Sequence, residues 1–155
     1  GPFFDVDTRP LIDEQGHLYV ASFQGKVVSL SLDGMRYWEQ SIGTGVDMVL
    51  DGERLYVSAT DGRVVVLNRK SGAIIWESKI GAGALTSVSR YHDTLVVGSS
   101  KKLIYFLNAQ NGEVMAYRFA KKGIISHPVL ADDEIYFLSN GGLVYALRLR
   151  DQKKK

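Results

Sequence analysis

A chain of 155 residues with no cysteine must draw any chemistry from three histidines, its carboxylates and its hydroxyls. His17, His92 and His127 lie far apart in sequence, and no second ligand stands at metal-binding spacing beside any of them. They read as loop or strand-end residues. Serine, histidine and aspartate all occur, but no G-x-S-x-G elbow or similar arrangement marks a nucleophile. Asp5, Asp7, Asp47, Asp132 and Asp133 fall at the starts of apolar runs and in turns, where an aspartate bonds its own backbone. Missing cysteine excludes thiol nucleophiles, disulfides and lipid attached through a cysteine of this chain. The expectation is a protein that is not an enzyme, with no metal and no cofactor, whose working part is a surface.

That surface must be carried by strands. Leu55 to Gly81 reads LYVSATDGRVVVLNRKSGAIIWESKIG, three apolar runs rich in Val, Ile, Tyr and Trp divided by turns at Asp61-Gly62 and Ser71-Gly72. The pattern recurs from Leu18 to Gly43, from Leu95 to Phe119 and, shortened to two runs, from Ile135 to Arg150. Copies begin at Leu18, Leu55, Leu95 and Ile135, separations of 37, 40 and 40 residues. Leu30, Leu67, Leu107 and Leu147 lie five residues past Gly25, Gly62, Lys102 and Gly142. Trp38 and Trp76 fall four residues beyond Gly34 and Gly72, with Ala116-Tyr117 in their place in the third copy, and predict packing between repeats. An apolar segment precedes each copy: Thr8 to Ile12, Val46 to Leu50, Leu85 to Ser89 and Ser126 to Leu130. All-strand repeats with a period near 40 are the signature of β-propeller blades. The reading is therefore all-β, with four blades of four-stranded antiparallel sheet at about 7–43, 44–81, 82–122 and 123–150, the last lacking an outer strand. Residues 1–155 form one domain that ends in a polar tail at 151–155.

A formal net charge of +2 selects no polyanionic partner. Lys101-Lys102, Lys121-Lys122 and Lys153 to Lys155 read as solvated rather than nucleic-acid binding, since no aromatic platform accompanies a groove motif. No apolar run approaches the roughly 20 residues that span a bilayer as a helix. The opening Gly1-Pro2 reads as a cleavage scar, which predicts that a natural leader has been removed.

At Gly25 to Trp38 and Gly62 to Trp76 the chain resembles the quinoprotein-like propeller repeat, G-x-V-x-x-L-x-x-x-x-G-x-x-x-W, the first one residue short. With Asp5-Val6-Asp7-Thr8-x-Pro10 ahead of the blades, it is similar to the C-terminal half of BamB, a lipoprotein family of the bacterial outer-membrane β-barrel assembly machinery. The resemblance implies a periplasmic scaffold at the outer membrane that docks on the barrel-inserting subunit and helps deliver unfolded outer-membrane proteins. Quinone dehydrogenases share the repeat, but a chain without cysteine and with half the blades argues against that enzyme class. The alternative is a ligand- or peptide-sensing propeller of an extracytoplasmic signalling protein.

Four blades in an open arc leave two bare faces. Three solutions exist: four blades close on themselves, the chain is part of a longer one, or two copies form one ring. The preferred solution is a homodimer forming an eight-bladed ring, with Phe3, Phe4 and Val6 supplying the missing strand to the partner copy's last blade. The expected partner-binding residues are Asp5, Asp7, Arg9 and Asp47 as charges, and Leu85, Ile124 and Ile125 as apolar anchors on the same face.

Overall fold

Runs such as RVVVLN place β-branched residues on both sides of a strand, which suits a sheet covered on both faces. The computed structural model describes residues 8–148 except 24, 82 and 125. Blade one comprises β1 (Leu11–Ile12), β2 (Leu18–Ala21), β3 (Val27–Leu30) and β4 (Arg36–Gln40). Blade two comprises β5 (Val49–Asp51), β6 (Arg54–Ser58), β7 (Arg63–Asn68) and β8 (Ile74–Lys79). Blade three comprises β9 (Ser89–Tyr91), β10 (Thr94–Gly98), β11 (Leu103–Asn108) and β12 (Val114–Phe119). Blade four comprises β13 (Val129–Ala131), β14 (Glu134–Leu138) and β15 (Val144–Arg148). Each blade is an antiparallel meander in chain order, and the fourth has three strands among the described residues. Phe3, Phe4 and Val6, assigned to closing the ring, lie outside the described residues.

The innermost strands differ from expectation. They begin about three residues late, at Leu11, Val49, Ser89 and Val129. Leu85 and Ile124 make only single bridges, to Ser99 and Ser139.

Adjacent residues on one strand serve different neighbours. Leu55, Val57, Val65 and Leu67 pack with Tyr19, Val27 and Trp38 of blade one. Tyr56, Val64, Val66 and Trp76 pack with Leu95, Val97, Tyr105 and Leu107 of blade three. Val96, Ile104 and Phe106 then pack with Ile135 and Phe137 of blade four. Among the described residues no such cluster joins blade four to blade one. Val129, Leu138 and Val144 stay 56%, 50% and 69% exposed, and the strand pairing puts them on the side of blade four away from blade three.

A tryptophan latch reinforces the first two joints. The indole of Trp38 donates from Nε1 to the Arg69 carbonyl (2.8 Å), and that of Trp76 to the Ala109 carbonyl (3.1 Å), each in the following blade. Each ring covers the glycine of that blade's outer turn, Gly72 or Gly112, so closely that a Cβ there would intrude on the indole. Those turns also hold φ at +73° and +76°, which glycine adopts at little cost. A bulge at the same place in each blade, after Ser29, Val66 and Phe106, follows the residue paired with Trp38, Trp76 or Ala116. Blade three has Ala116 in the tryptophan position, so the third joint has no indole latch and is packed by aliphatic, phenylalanine and tyrosine side chains.

Lys102 stands where Gly62 and Gly142 stand in other blades, and it adopts φ +71°. The left-handed region costs a side-chain-bearing residue about 1–2 kcal/mol. Gly112→Ala should therefore lower stability by roughly 2 kcal/mol or more. Lys102→Gly should raise it by about 1 kcal/mol. Urea unfolding checks both, and two changes of the same sign would contradict this assignment of the turns.

Candidate interaction surface

In a propeller of this connectivity, every passage from an outer strand to the next inner strand runs over one end of the molecule. These connections are Gln40 to Val49, Lys79 to Ser89 and Phe119 to Val129. Loops are where a rigid scaffold carries binding residues, provided something holds them still.

Backbone bonds tie each connection to both of the blades it joins. Thr44 N donates to Ser22 O (3.1 Å), and Thr60 N donates to Gly43 O (2.9 Å). In the last connection, Ile124 N donates to Ser99 O (2.9 Å) and Asn140 N to Gly123 O (3.1 Å). A recurring hydroxyl adds a clip to the end of the second strand in blades two, three and four. Thr44 Oγ1 donates to Ser58 O (2.6 Å), Thr86 Oγ1 accepts from Gly98 N (2.9 Å), and Ser126 Oγ accepts from Leu138 N (2.8 Å). Ser58 Oγ reaches across to Thr86 O (2.7 Å), so the clips of blades two and three are themselves linked. Sequence reading missed this device. The signal was present as Thr44, Thr86 and Ser126, one hydroxyl ahead of each inner strand of blades two to four, while Thr8 in the same place ahead of blade one is buried without a partner.

Of the expected contact residues, the structure brings Arg9 and Asp47 together: the Arg9 backbone N–H donates to Asp47 Oδ1 (2.9 Å), and both side chains are exposed. Leu85 and Ile124 are corrected. They are 7% and 0% exposed, packed in the joints between blades two and three and between blades three and four, and are spent on the core. Their connections must dip inward to fill those joints, and this takes the apolar side chain with them. Asp5, Asp7 and Ile125 lie outside the described residues.

The inner strands β5, β9 and β13 line a groove of about 430 Å³, walled by Val49, Leu50, Val88, His127 and Pro128. Arg90 on its wall pairs with Asp51 (3.1 Å). Desolvation pushes His127 below the usual histidine range against the opposing pull of the Asp47 carboxylate, which favours a neutral ring. Among the described residues no group of three His, Cys, Asp or Glu could hold a metal ion.

At the other end, a polar cluster fastens blade one to blade two. The Asp13 side chain is 1% exposed. It accepts hydrogen bonds from the backbone N–H groups of Gln15 and His17 and from the Tyr19 hydroxyl (3.0 Å), and His17 Nδ1 lies 2.9 Å away. Burial alone would raise the carboxyl's pKa, but those bonds outweigh it and hold it at about 2. Arg69 of blade two reaches Glu14 (3.1 Å) and Glu53 (3.3 Å), and its carbonyl is the one that receives Trp38.

Comparison with known proteins bears on both fold and family. A family model described as outer membrane protein assembly factor BamB matches residues 3–78 and again 60–155. The outer membrane protein assembly factors BamB of Salmonella typhimurium and Escherichia coli are each 30% identical over 146 residues. That alignment covers 92% of this chain but only 37% of either relative, so the chain spans little more than a third of their length. The crystal structure of BamB from Moraxella catarrhalis superposes with a TM-score of 0.80 at 22% identity, over 93% of this chain and 43% of that one. The computationally designed Ika4 protein superposes equally well, with a TM-score of 0.80 at 13% identity, over 97% of this chain and 94% of the design. These likenesses establish the propeller fold.

The Asp13 carboxyl titrates lower in the folded chain than in the unfolded one, so its contribution is complete at neutral pH. It should be lost as pH falls from about 5 towards about 2, by an amount on the order of 2 kcal/mol. Chemical unfolding at stepped pH should show that fall, and Asp13→Asn should flatten it while lowering stability at pH 7.

Proposed function

The chain belongs to the family of the outer membrane protein assembly factor BamB, and from that membership we propose that it is a non-enzymatic scaffold of outer-membrane β-barrel protein assembly. It works in the periplasm against the outer membrane, and docks on the barrel-inserting subunit through the loops of the connection end. The observations that support this reading are the double fastening of each connection and, beside the first of them, the Arg9 N–H held to the Asp47 carboxylate with both side chains exposed. Preorganised loops lose little freedom on binding, which is what a docking surface needs. Asp5 and Asp7, just ahead of Arg9, belong to the same contact. Extended client segments are bound along the inner strands, whose outer edges face the groove and are open to strand addition.

The bare side of blade four, with Val129, Leu138 and Val144, requires a cover. In this reading the cover is blade one of a second copy, and two chains complete an eight-bladed ring with two-fold symmetry.

Reversing the charges with Arg9→Glu and Asp47→Lys should weaken binding to the purified barrel-inserting subunit by about tenfold while leaving the far-ultraviolet dichroism unchanged. Undiminished affinity of the folded double variant would remove these residues from the contact. Separately, light scattering should give about twice 17.2 kDa, and a monomer at micromolar concentration would exclude the two-copy ring.

A further inference from the structure

The connection end carries a second patch, away from Arg9 and Asp47, that the assembly role does not use. Lys101 and Lys102 turn β10 into β11, and Lys121 and Lys122 open the connection that leaves β12. The fold draws the two pairs together. Ala120 N donates to Lys102 O (2.8 Å), Gly123 lies against the Ser100 backbone, and Lys121 N donates to the Tyr145 hydroxyl of blade four (2.8 Å). All four side chains are exposed, and none forms an ion pair among the described residues. The paired cations at this end are elsewhere: Lys26 with Glu39 (2.8 Å), and Arg63 with Asp61 (2.8 Å) and Glu77 (2.7 Å).

Apolar tips flank the four charges. Phe119, paired with Leu103 directly beside Lys102, is 78% exposed. Leu143, two residues beyond the glycine that touches the Lys122 side chain, is 50% exposed. The opposite end of the same two blades carries Glu113, Asp132 and Asp133 in its turns, so the charge is polarised end to end although the whole chain is only +2.

We propose that the Lys101, Lys102, Lys121 and Lys122 patch, with Phe119 and Leu143 at its edge, docks on a membrane surface rich in anionic phospholipid. Lysine ammonium groups are compact point charges suited to mobile headgroups, whereas fixed bidentate recognition of phosphate is arginine's work. Each lysine near an anionic leaflet adds binding additively, and an aromatic ring with an aliphatic tip enters the boundary between headgroups and acyl chains. The four lysines lie outside the groove lined by the inner strands, and an exposed patch of this kind suits a flat partner. Seated this way, the propeller stands with its acidic end away from the lipid. The inference is independent of the proposed contact with the barrel-inserting subunit.

Vesicle co-sedimentation of the full chain tests it. The chain should bind vesicles of phosphatidylglycerol with phosphatidylethanolamine, should bind phosphatidylcholine vesicles weakly, and should be released as sodium chloride rises from about 50 to about 300 mM. Combining Lys101→Gln, Lys102→Gln, Lys121→Gln and Lys122→Gln should cut binding at least about tenfold. The adjacent pairs changed separately give the same answer in smaller steps should the fourfold variant fold poorly. Phe119→Ser with Leu143→Ser should weaken binding but keep its salt dependence, and Lys26→Gln should change it less than about twofold. Absent binding to the anionic vesicles, equal binding to phosphatidylcholine, or a Lys26→Gln effect as large as that of the fourfold change would overturn the proposal. So would binding to a DNA duplex that matches vesicle binding in strength and in its dependence on the four lysines.

Discussion

A β-sheet with apolar residues on both faces cannot stand alone in water, and everything in this fold follows from that. Neighbouring residues on β7 point in opposite directions, Val64 and Val66 into one joint and Val65 and Leu67 into the other. No blade therefore has a core of its own; the cores belong to the joints. Trp38 and Trp76 make the same point at the rim. Each sits in one sheet but hydrogen-bonds to, and covers a glycine of, the next. The stacking of four blades supplies three joints and leaves the apolar side of blade four exposed, a consequence of the geometry rather than of any single residue.

The two ends of the stack solve different problems. At one end, buried hydroxyls and backbone bonds fix the connections, so the loops can present charge without moving. At the other, a carboxylate held ionised by its hydrogen bonds and an arginine shared between two glutamates bridge the first joint. The Asp13 carboxylate and the Thr44 and Thr86 hydroxyls are tolerated in these half-buried places because they have hydrogen-bond partners. Arg69 Nε and the Thr8 hydroxyl, by contrast, are buried without one. Both ends thus hold blades together, the connection end by hydroxyl and backbone bonds and the opposite end by charged groups.

Most of the architecture was legible in the sequence, because its cause is periodic. Turn glycines, β-branched runs and the two tryptophans repeat at the blade spacing, and the structure reproduces the meanders and the inter-blade role of Trp38 and Trp76. What was not legible depends on direction rather than on residue type. Leu85 and Ile124 look like anchors when read along the chain, since each is an apolar residue in a connection. Their side chains turn inward because the connection must close a joint. The hydroxyl clips escaped for a related reason: Thr and Ser are common at strand starts, and only the partner atoms reveal a device. Arg9 and Asp47 were expected on one face from topology, yet the bond between them is a backbone one that no side-chain pattern encodes.

The alanine at position 116 changes the character of the whole stack. Since every core is shared between two blades, stability is a sum of nearest-neighbour couplings, as in a one-dimensional array. The first two couplings include an indole latch and the third does not. Local opening will therefore be distributed unevenly, with the amide hydrogens of β13 to β15 the first to exchange and those of β6 and β7, enclosed by two latched joints, the last. Blade four is thus both the blade with an uncovered side and the one most loosely coupled to the rest. In the proposed ring, the segment that meets the second copy is also the one that the fold leaves most able to adapt.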